Sequence, residues 1–321
     1  MEQASSLAAK CRLCPRRCGV NRMRGEIGAC GAGRHARLFM EYVHWAEDAD
    51  IVPAQTLYLT GCNLSCRFCQ TADERARLPS ARLDSKLFAG ILARGKAAGA
   101  RTVNILGGEP TVNLPALLEI FAETGDFPGL VWNSNLYGTA EAFALLDGIV
   151  DIYMGDIKFG NSACAKKLAG AADAGEAAAE RAMEIFARSP EALIVRHLLL
   201  PGHFACCAEP VLRWIACHLP GVRVSLKTVY MPPRDLAERQ PEKRFLTPEE
   251  TSRANRLALS LGLRLTRDAA SPPPGGDETG NTPGIEPTAF ETIIASDGAV
   301  YLRHVTREAS EMLRAAVGGP Y

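Results

Sequence analysis

Between residues 54 and 261, short apolar runs rich in β-branched residues alternate six times with Ala- and Leu-rich stretches of helical period. This alternation constrains the fold more than any other feature. Six strands, each followed by a helix, share one sheet most simply when the strands run parallel and the crossovers are right-handed. Strands are predicted near 55–60, 102–107, 129–134, 150–156, 192–199 and 222–229. Helices are predicted near 84–99, 113–123, 139–147, 176–188, 207–218 and 248–261. The fold class is therefore α/β, a parallel sheet curled into a partial (β/α)6 TIM-like barrel.

The flanks follow other rules. Residues 1–50 form an amino-terminal unit whose stretch 11–33 is rich in Cys, Arg and Gly, has little periodicity, and needs a metal to order it. Residues 51–270 hold the barrel, and 271–321 are a carboxy-terminal extension. The Pro/Gly-rich stretch 271–287 reads as a linker. Residues 290–294, an Asp297-Gly298 turn and residues 299–302 read as a β-hairpin, followed by a short helix near 307–317. His44-Trp45, ahead of the first barrel strand, reads as packing.

Charge and cysteine usage narrow the function classes. The 36 basic and 36 acidic residues cancel, so no global electrostatic case for nucleic acid or an anionic membrane follows. No run of 18 apolar residues exists, and the amino terminus lacks the charged start and apolar core of a signal peptide. Seven of the eleven cysteines fall in metal-like spacings. A reducing cytoplasm, where thiols stay free for metal, is the expected setting.

In an α/β barrel the reactive groups gather at the C-terminal ends of the strands. The first strand runs into Cys62-Asn63-Leu64-Ser65-Cys66-Arg67-Phe68-Cys69, a C-x3-C-x2-C loop. Three thiolates can hold three irons of a cubane and leave the fourth open, whereas an electron-transfer ferredoxin closes its cluster with four. Three unrelated thiols or part of a zinc site are the alternatives; zinc needs a fourth ligand, and this is not the usual paired-knuckle spacing. Phe68 is placed to shield a cluster from water.

Later strands end in Gly107-Gly108-Glu109-Pro110, Asn133-Ser134-Asn135, Asp156-Ile157-Lys158, and Arg196-His197 ahead of Pro201-Gly202-His203. The glycines allow close backbone approach to a ligand, and Glu109 offers a carboxylate to a cationic amine. Asp156 and Lys158 alternate onto one face. Taken singly, these are a turn before a helix, an ordinary salt bridge and satisfied strand residues. Their joint order after successive strands is the informative feature.

On these residues the chain resembles the radical S-adenosylmethionine (SAM) superfamily. Within it, the chain looks like pyruvate formate-lyase activating enzyme-like proteins that carry an extra amino-terminal cysteine segment. Cys62, Cys66 and Cys69 match the cluster motif, Gly107, Gly108 and Glu109 the segment that holds the SAM amino group, and Asp156 and Lys158 the Asp-x-Lys element. Asn133 and Asn135 sit where ribose or carboxylate contacts fall, and Arg196 joins them as a cofactor-binding candidate. The resemblance implies a [4Fe–4S] cluster whose open iron chelates SAM. Reductive cleavage would then give methionine and a 5′-deoxyadenosyl radical that abstracts hydrogen from a protein or peptide substrate. It also implies a reductant such as flavodoxin or ferredoxin. Modification of RNA or a small metabolite is the alternative within enzymes, and a non-catalytic two-centre Fe–S carrier the alternative outside them. The chain departs from close relatives at Gln70-Thr71-Ala72 and at residues 226–233, where substrate would be read.

Cys11-x2-Cys14-x3-Cys18-x11-Cys30 is a second constellation, suited to zinc, to a second Fe–S cluster, or to thiols without metal. Arg12, Arg16, Arg17, Arg22 and Arg24 offset part of the charge of a tetrathiolate. Cys164, Cys206, Cys207 and Cys217 lack metal spacing and read as free thiols, with Cys164 on a connecting loop.

Overall fold

The computed structural model describes residues 2–233 and 240–267, and the backbone of strands 290–294 and 300–304. The strands are β1 (Arg37–His44), β2 (Ala54–Leu59), β3 (Ala81–Arg82), β4 (Thr102–Gly107), β5 (Gly129–Ser134), β6 (Ile152–Asp156), β7 (Leu193–Leu198), β8 (Arg223–Lys227), β9 (Arg264–Leu265), β10 (Phe290–Ile294) and β11 (Val300–His304). The helices are α1 (Glu2–Ala9), α2 (Ala72–Arg77), α3 (Ser85–Ala97), α4 (Leu114–Thr124), α5 (Ala140–Ala144), α6 (Ser162–Ala169), α7 (Ala174–Arg188), α8 (Glu209–His218) and α9 (Pro248–Ser260).

Strand alternation separates two faces. Leu57, Leu59, Val103, Ile105, Leu130, Trp132, Leu193, Val195 and Val224 share one core with Phe88, Leu117, Ile185 and Ile215 of the covering helices. The intervening residues of the same strands, among them Thr56, Asn104, Asn133, Asp156, Arg196 and Ser225, occupy the other, concave face, and polar side chains dominate it toward the strand ends. A helix-covered face must be apolar, while the inner face can carry chemistry.

Strands β2, β4, β5, β6, β7, β8 and β9 are parallel neighbours in that order. The sheet runs β11-β10-β1-β2-β4-β5-β6-β7-β8-β9 and is not closed into a barrel. All six predicted strands and all six predicted helices are present within a few residues of their expected bounds. Helix starts are capped locally: Asp84 accepts from Leu87 N, Thr139 from Ala142 N and Asn161 from Cys164 N.

Several elements were not expected. Strand β1 pairs antiparallel with β2, with the buried Glu41 held by Arg94 at 2.8 Å and by Gln55 at 2.5 Å. Arg37-Leu38-Phe39-Met40 breaks alternation because Leu38, Phe39 and Met40 are all buried and the register with β2 shifts between Leu38 and Met40, which masks the strand period. Trp45, expected to pack, is 58% exposed at the end of β1. Cys164 lies in the first turn of α6 and not on a loop. The predicted hairpin strands appear as β10 and β11. The linker at 271–287, the Asp297-Gly298 turn and the helix near 307–317 lie outside the described residues. Among the described residues no helix is long and apolar enough to cross a membrane.

Candidate active site

Gly61, at φ +81°, turns the chain out of β2 into the cysteine loop. Backbone bonds then pin that loop on two sides. Cys62 N donates to Cys30 O at 2.9 Å, while Ser65 N and Arg67 N donate to Ala169 O at 3.0 Å and Leu168 O at 2.8 Å. Phe68 is buried and packs edge-on against Phe159 at 6.1 Å between centroids. Burial, then the Glu109 carboxylate, pushes the Cys62 thiol up to about 11. Burial pushes Cys66 up to about 12 against the opposing pull of Lys158. All three cysteines are free of disulfides. A metal that takes their thiolates supplies the positive charge that burial otherwise denies them.

The Gly107-Gly108-Glu109 turn lies against this loop. A Cβ on Gly108 would sit 1.7 Å from Gly61 O, and one on Gly107 would sit 2.1 Å from Leu59 N. The close neighbour of the glycines is thus the chain's own backbone as it enters the cysteine loop. Gly108 N donates to Leu59 O at 2.7 Å and Glu109 N to Gly61 O at 2.8 Å. The Glu109 carboxylate is 1% exposed and turned inward. It accepts from Ser134 Oγ at 2.7 Å, Asn135 N at 2.8 Å and Thr111 N at 3.0 Å. Burial raises its pKa, and these donors oppose the rise. Its side chain therefore joins β4 to β5, and its carboxylate is engaged within the protein in place of the cationic amine expected of it.

Asn135 Nδ2 donates to Asn63 Oδ1 at 3.0 Å and lies 3.9 Å from Cys62 Sγ. On the concave face, Arg196 binds Asp156 through Nε at 2.5 Å and Nη2 at 3.1 Å, Asn133 Oδ1 at 2.6 Å and Glu47 at 2.9 Å. Every guanidinium nitrogen is engaged by protein. Lys158 Nζ pairs with Asp156 Oδ2. Burial alone would raise Asp156, but Arg196 and then Lys158 hold its carboxyl well below the usual range. Burial opposes the charge on Lys158, yet Asp156 and Cys66 raise its pKa. The cation facing Cys66 therefore stays charged.

Two concave-face residues carry polar atoms with no partner among the described residues: Asn104 at both amide atoms and Asn133 at Nδ2. Buried polar groups are rarely left so, and a polar ligand would satisfy them. Asn104 was not singled out in the sequence; its only signal is an amide inside an apolar strand. His197 is buried, donates from Nδ1 to Ile157 O at 2.7 Å, and is lowered by burial to about 4, so it stays neutral there.

The amino-terminal cysteine segment lies beside this site. Cys11, Cys14 and Cys30 are buried there and Cys18 is exposed, and no three of these thiols lie within 4.8 Å of one another. Arg22 is buried and donates to Cys30 Sγ at 3.0 Å, whereas Arg16 reaches Asn63 O at 2.6 Å. Thr139 N donates to Leu13 O at 3.1 Å, so the segment is docked on the loops that follow β2 and β5. Of the four thiols expected to be free, Cys217 is exposed on α8, and Cys164, Cys206 and Cys207 converge on His203.

A three-thiol loop at the end of the first parallel strand, glycines that let it close on the second, and unsatisfied amides beneath fit a [4Fe–4S] cluster with SAM beside it. An open α/β sheet with this loop defines a class of cluster-dependent enzymes. The sequence profile of the Radical SAM superfamily matches residues 56–215. An uncharacterized protein of Methanocaldococcus jannaschii is 32% identical over 280 residues, covering 84% of this chain and 80% of that one. A radical SAM methyltransferase from Sphaerobacter thermophilus shares the fold at TM-score 0.50 and 16% identity, over 67% of this chain and 66% of that one. Streptococcus suis SuiB bound to precursor peptide SuiA aligns at TM-score 0.46 and 17% identity, over 64% of this chain, which spans 46% of SuiB. The chain belongs to the radical SAM superfamily. Membership implies an enzyme with a [4Fe–4S] cluster and SAM.

Proposed function

We propose that this chain is a radical SAM enzyme that abstracts hydrogen from a protein or peptide substrate, in the manner of glycyl radical activating enzymes. The observation that carries the reading is the Cys62–Cys69 loop, closed on the end of β4 and bonded through Asn63 to Asn135 after β5, on a sheet whose concave face carries buried amides without partners. In this proposal Cys62, Cys66 and Cys69 hold the cluster. When bound, cluster and SAM together supply reductive C–S cleavage and a hydrogen-abstracting carbon radical. Gly107 and Gly108 let the cysteine loop close on the end of β4, where SAM would lie. Asn133, Asn135 and Lys158 present polar groups to SAM, while Glu109, Asp156 and Arg196 position them. Phe68 and Phe159 exclude water from the thiolates.

A polypeptide substrate is supported by the open sheet and by exposed apolar side chains on loops at the same end. These are Ile27 within the docked cysteine segment, Val229 after β8, and Phe245. The balance of 36 basic and 36 acidic residues weighs against RNA. A cytoplasmic flavodoxin or ferredoxin is the reductant we infer.

The test is anaerobic reconstitution, dithionite reduction and assay of 5′-deoxyadenosine. Wild type is expected to cleave SAM, and Cys66→Ala to fall to background. No cleavage above the Cys66→Ala control would sink the proposal. Cleavage that candidate peptides fail to stimulate, while a small metabolite or RNA does, would overturn the substrate class alone.

A further inference from the structure

We propose that Cys164, His203, Cys206 and Cys207 form a tetrahedral zinc site, distinct from both cysteine constellations above and placed at the same end of the sheet. Each residue offers one ligand atom, and these atoms all lie within 4.8 Å of one another. Among the described residues no other set of three or more His, Cys, Asp or Glu side chains converges so closely. With Zn–S bonds of about 2.3 Å, a tetrahedron has ligand–ligand edges of about 3.8 Å. The cluster therefore has the dimensions of a single ion. A cubane puts each thiolate on a different iron and needs a wider spread. Three thiolates and an imidazole at such spacing select zinc among common ions.

The histidine supplies an independent observation. His203 is buried, with Nδ1 3.3 Å from Cys206 Sγ and 3.9 Å from Cys164 Sγ. Its Nε2 lies 2.8 Å from Glu242 Oε1, and Glu242 is fully buried. A carboxylate that accepts from Nε2–H fixes the tautomer and leaves the Nδ1 lone pair facing the thiols. Metal-bound histidines are oriented in this way. Asn161 Nδ2 lies 3.4 Å from Cys164 Sγ and donates to Cys206 O at 2.7 Å, so the amide steadies both sides of the site.

The backbone is shaped to the same end. Adjacent residues on an α-helix diverge by about 100°, which would turn one of two neighbouring cysteines away. Residues Phe204–Ala208 instead form a π-helical turn, in which Ala208 N donates to His203 O at 3.2 Å. Within this turn Cys206 and Cys207 both reach the same centre, and such turns recur at functional sites. Gly160 admits the loop after β6 against it, since a Cβ there would lie 2.6 Å from Cys206 O.

Four protein ligands close the coordination shell, so the ion is structural. It staples the start of α6, the loop after β7 and, through Glu242, the segment after β8. The first of these follows directly on Lys158 and Phe159, the residues that meet Cys66 and Phe68. The site escapes a reading of spacing because Cys164 is remote in sequence and the neighbouring pair Cys206-Cys207 resembles no zinc motif.

The test uses the full chain purified anaerobically, with zinc and iron measured together. The amino-terminal cysteines are also able to hold zinc, so the readout is a difference. Cys164→Ser and Cys206→Ser are expected to lose one zinc equivalent per chain relative to wild type, with iron and the iron–sulfur absorbance unchanged. Should both variants fail to fold, zinc X-ray absorption on wild type decides: imidazole scattering beside sulfur at about 2.3 Å is expected. A shell of sulfur alone, zinc content equal in wild type and folded variants, or a disulfide among Cys164, Cys206 and Cys207 would each overturn the site.

Discussion

At Gly108 the absence of one methyl group decides how closely two loops approach. The Gly61 carbonyl occupies the volume of a Cβ, 1.7 Å from its ideal position, and backbone cannot yield as a flexible side chain can. Gly108→Ala must push the cysteine loop off the end of β4. Overpacking of this kind costs about 1–3 kcal/mol. The expected outcome is a lower melting temperature together with severalfold less iron per reconstituted chain, measured by denaturation and metal analysis. Normal iron loading in a stable Gly108→Ala protein would show that the loop does not depend on this contact. Glu109 teaches the complementary point. Its place in a Gly-Gly-Glu run was legible in the sequence, but the direction of its carboxylate was not, because Ser134 and Asn135 arrive from β5 and the loop after it, and only Thr111 N is local.

At the scale of elements, helix ends carry information that strand ends alone do not. Thr247 and Glu250 form a capping box on α9, and Glu250 also binds Arg244 at 2.7 Å and accepts from Gly202 N at 2.7 Å. The Arg244 hydrogen bond depresses the Glu250 carboxyl from 4.5 to about 2. A depressed folded-state pKa means stability present above 4.5 and lost as pH falls toward 2. Wild type should therefore lose stability across that window, while Glu250→Gln should show a flatter acid limb and start about 1 kcal/mol less stable at neutral pH. Thermal melts from pH 7 downward measure both. Parallel acid limbs in the two proteins would contradict this assignment. The six strand–helix units were legible because period and caps agree. Strand β1 was missed because it is buried on both faces from Leu38 to Glu41 and its register shifts at Phe39, so no clean alternation marks it. Helix α6 was missed because Ser162-Ala163-Cys164 carries little periodic signal ahead of Ala165 and Leu168.

Across the whole molecule, Arg196 is the residue through which distant segments meet. It joins Asn133 of β5, Asp156 of β6 and Glu47, which follows β1. The neighbouring Asp48 is fully buried and accepts from Ser225 Oγ at 2.9 Å and Lys227 Nζ at 3.1 Å. The segment after β1 thus crosses to the far strands of a sheet that does not close. Arg196→Ala leaves Asp156 with Lys158 as its remaining charge partner and removes the pair with Glu47, and should cost about 3 kcal/mol in chemical unfolding. Arg196→Lys should not restore it, since an ammonium cannot bridge three partners in one plane. A near-neutral Arg196→Ala would remove this account of how the open sheet is braced. By itself the sequence determined the α/β class, the three-thiol loop at the end of the first parallel strand, and the order of glycines, amides and charges at later strand ends. These follow from local period and spacing. Only the tertiary structure decided that Glu109 and Arg196 are spent on internal partners, that the amino-terminal cysteines dock on the loop at Cys62, and that Cys164 meets His203, Cys206 and Cys207. Those outcomes depend on side chains from remote βα units reaching one point in space, and no spacing along the chain records that distance.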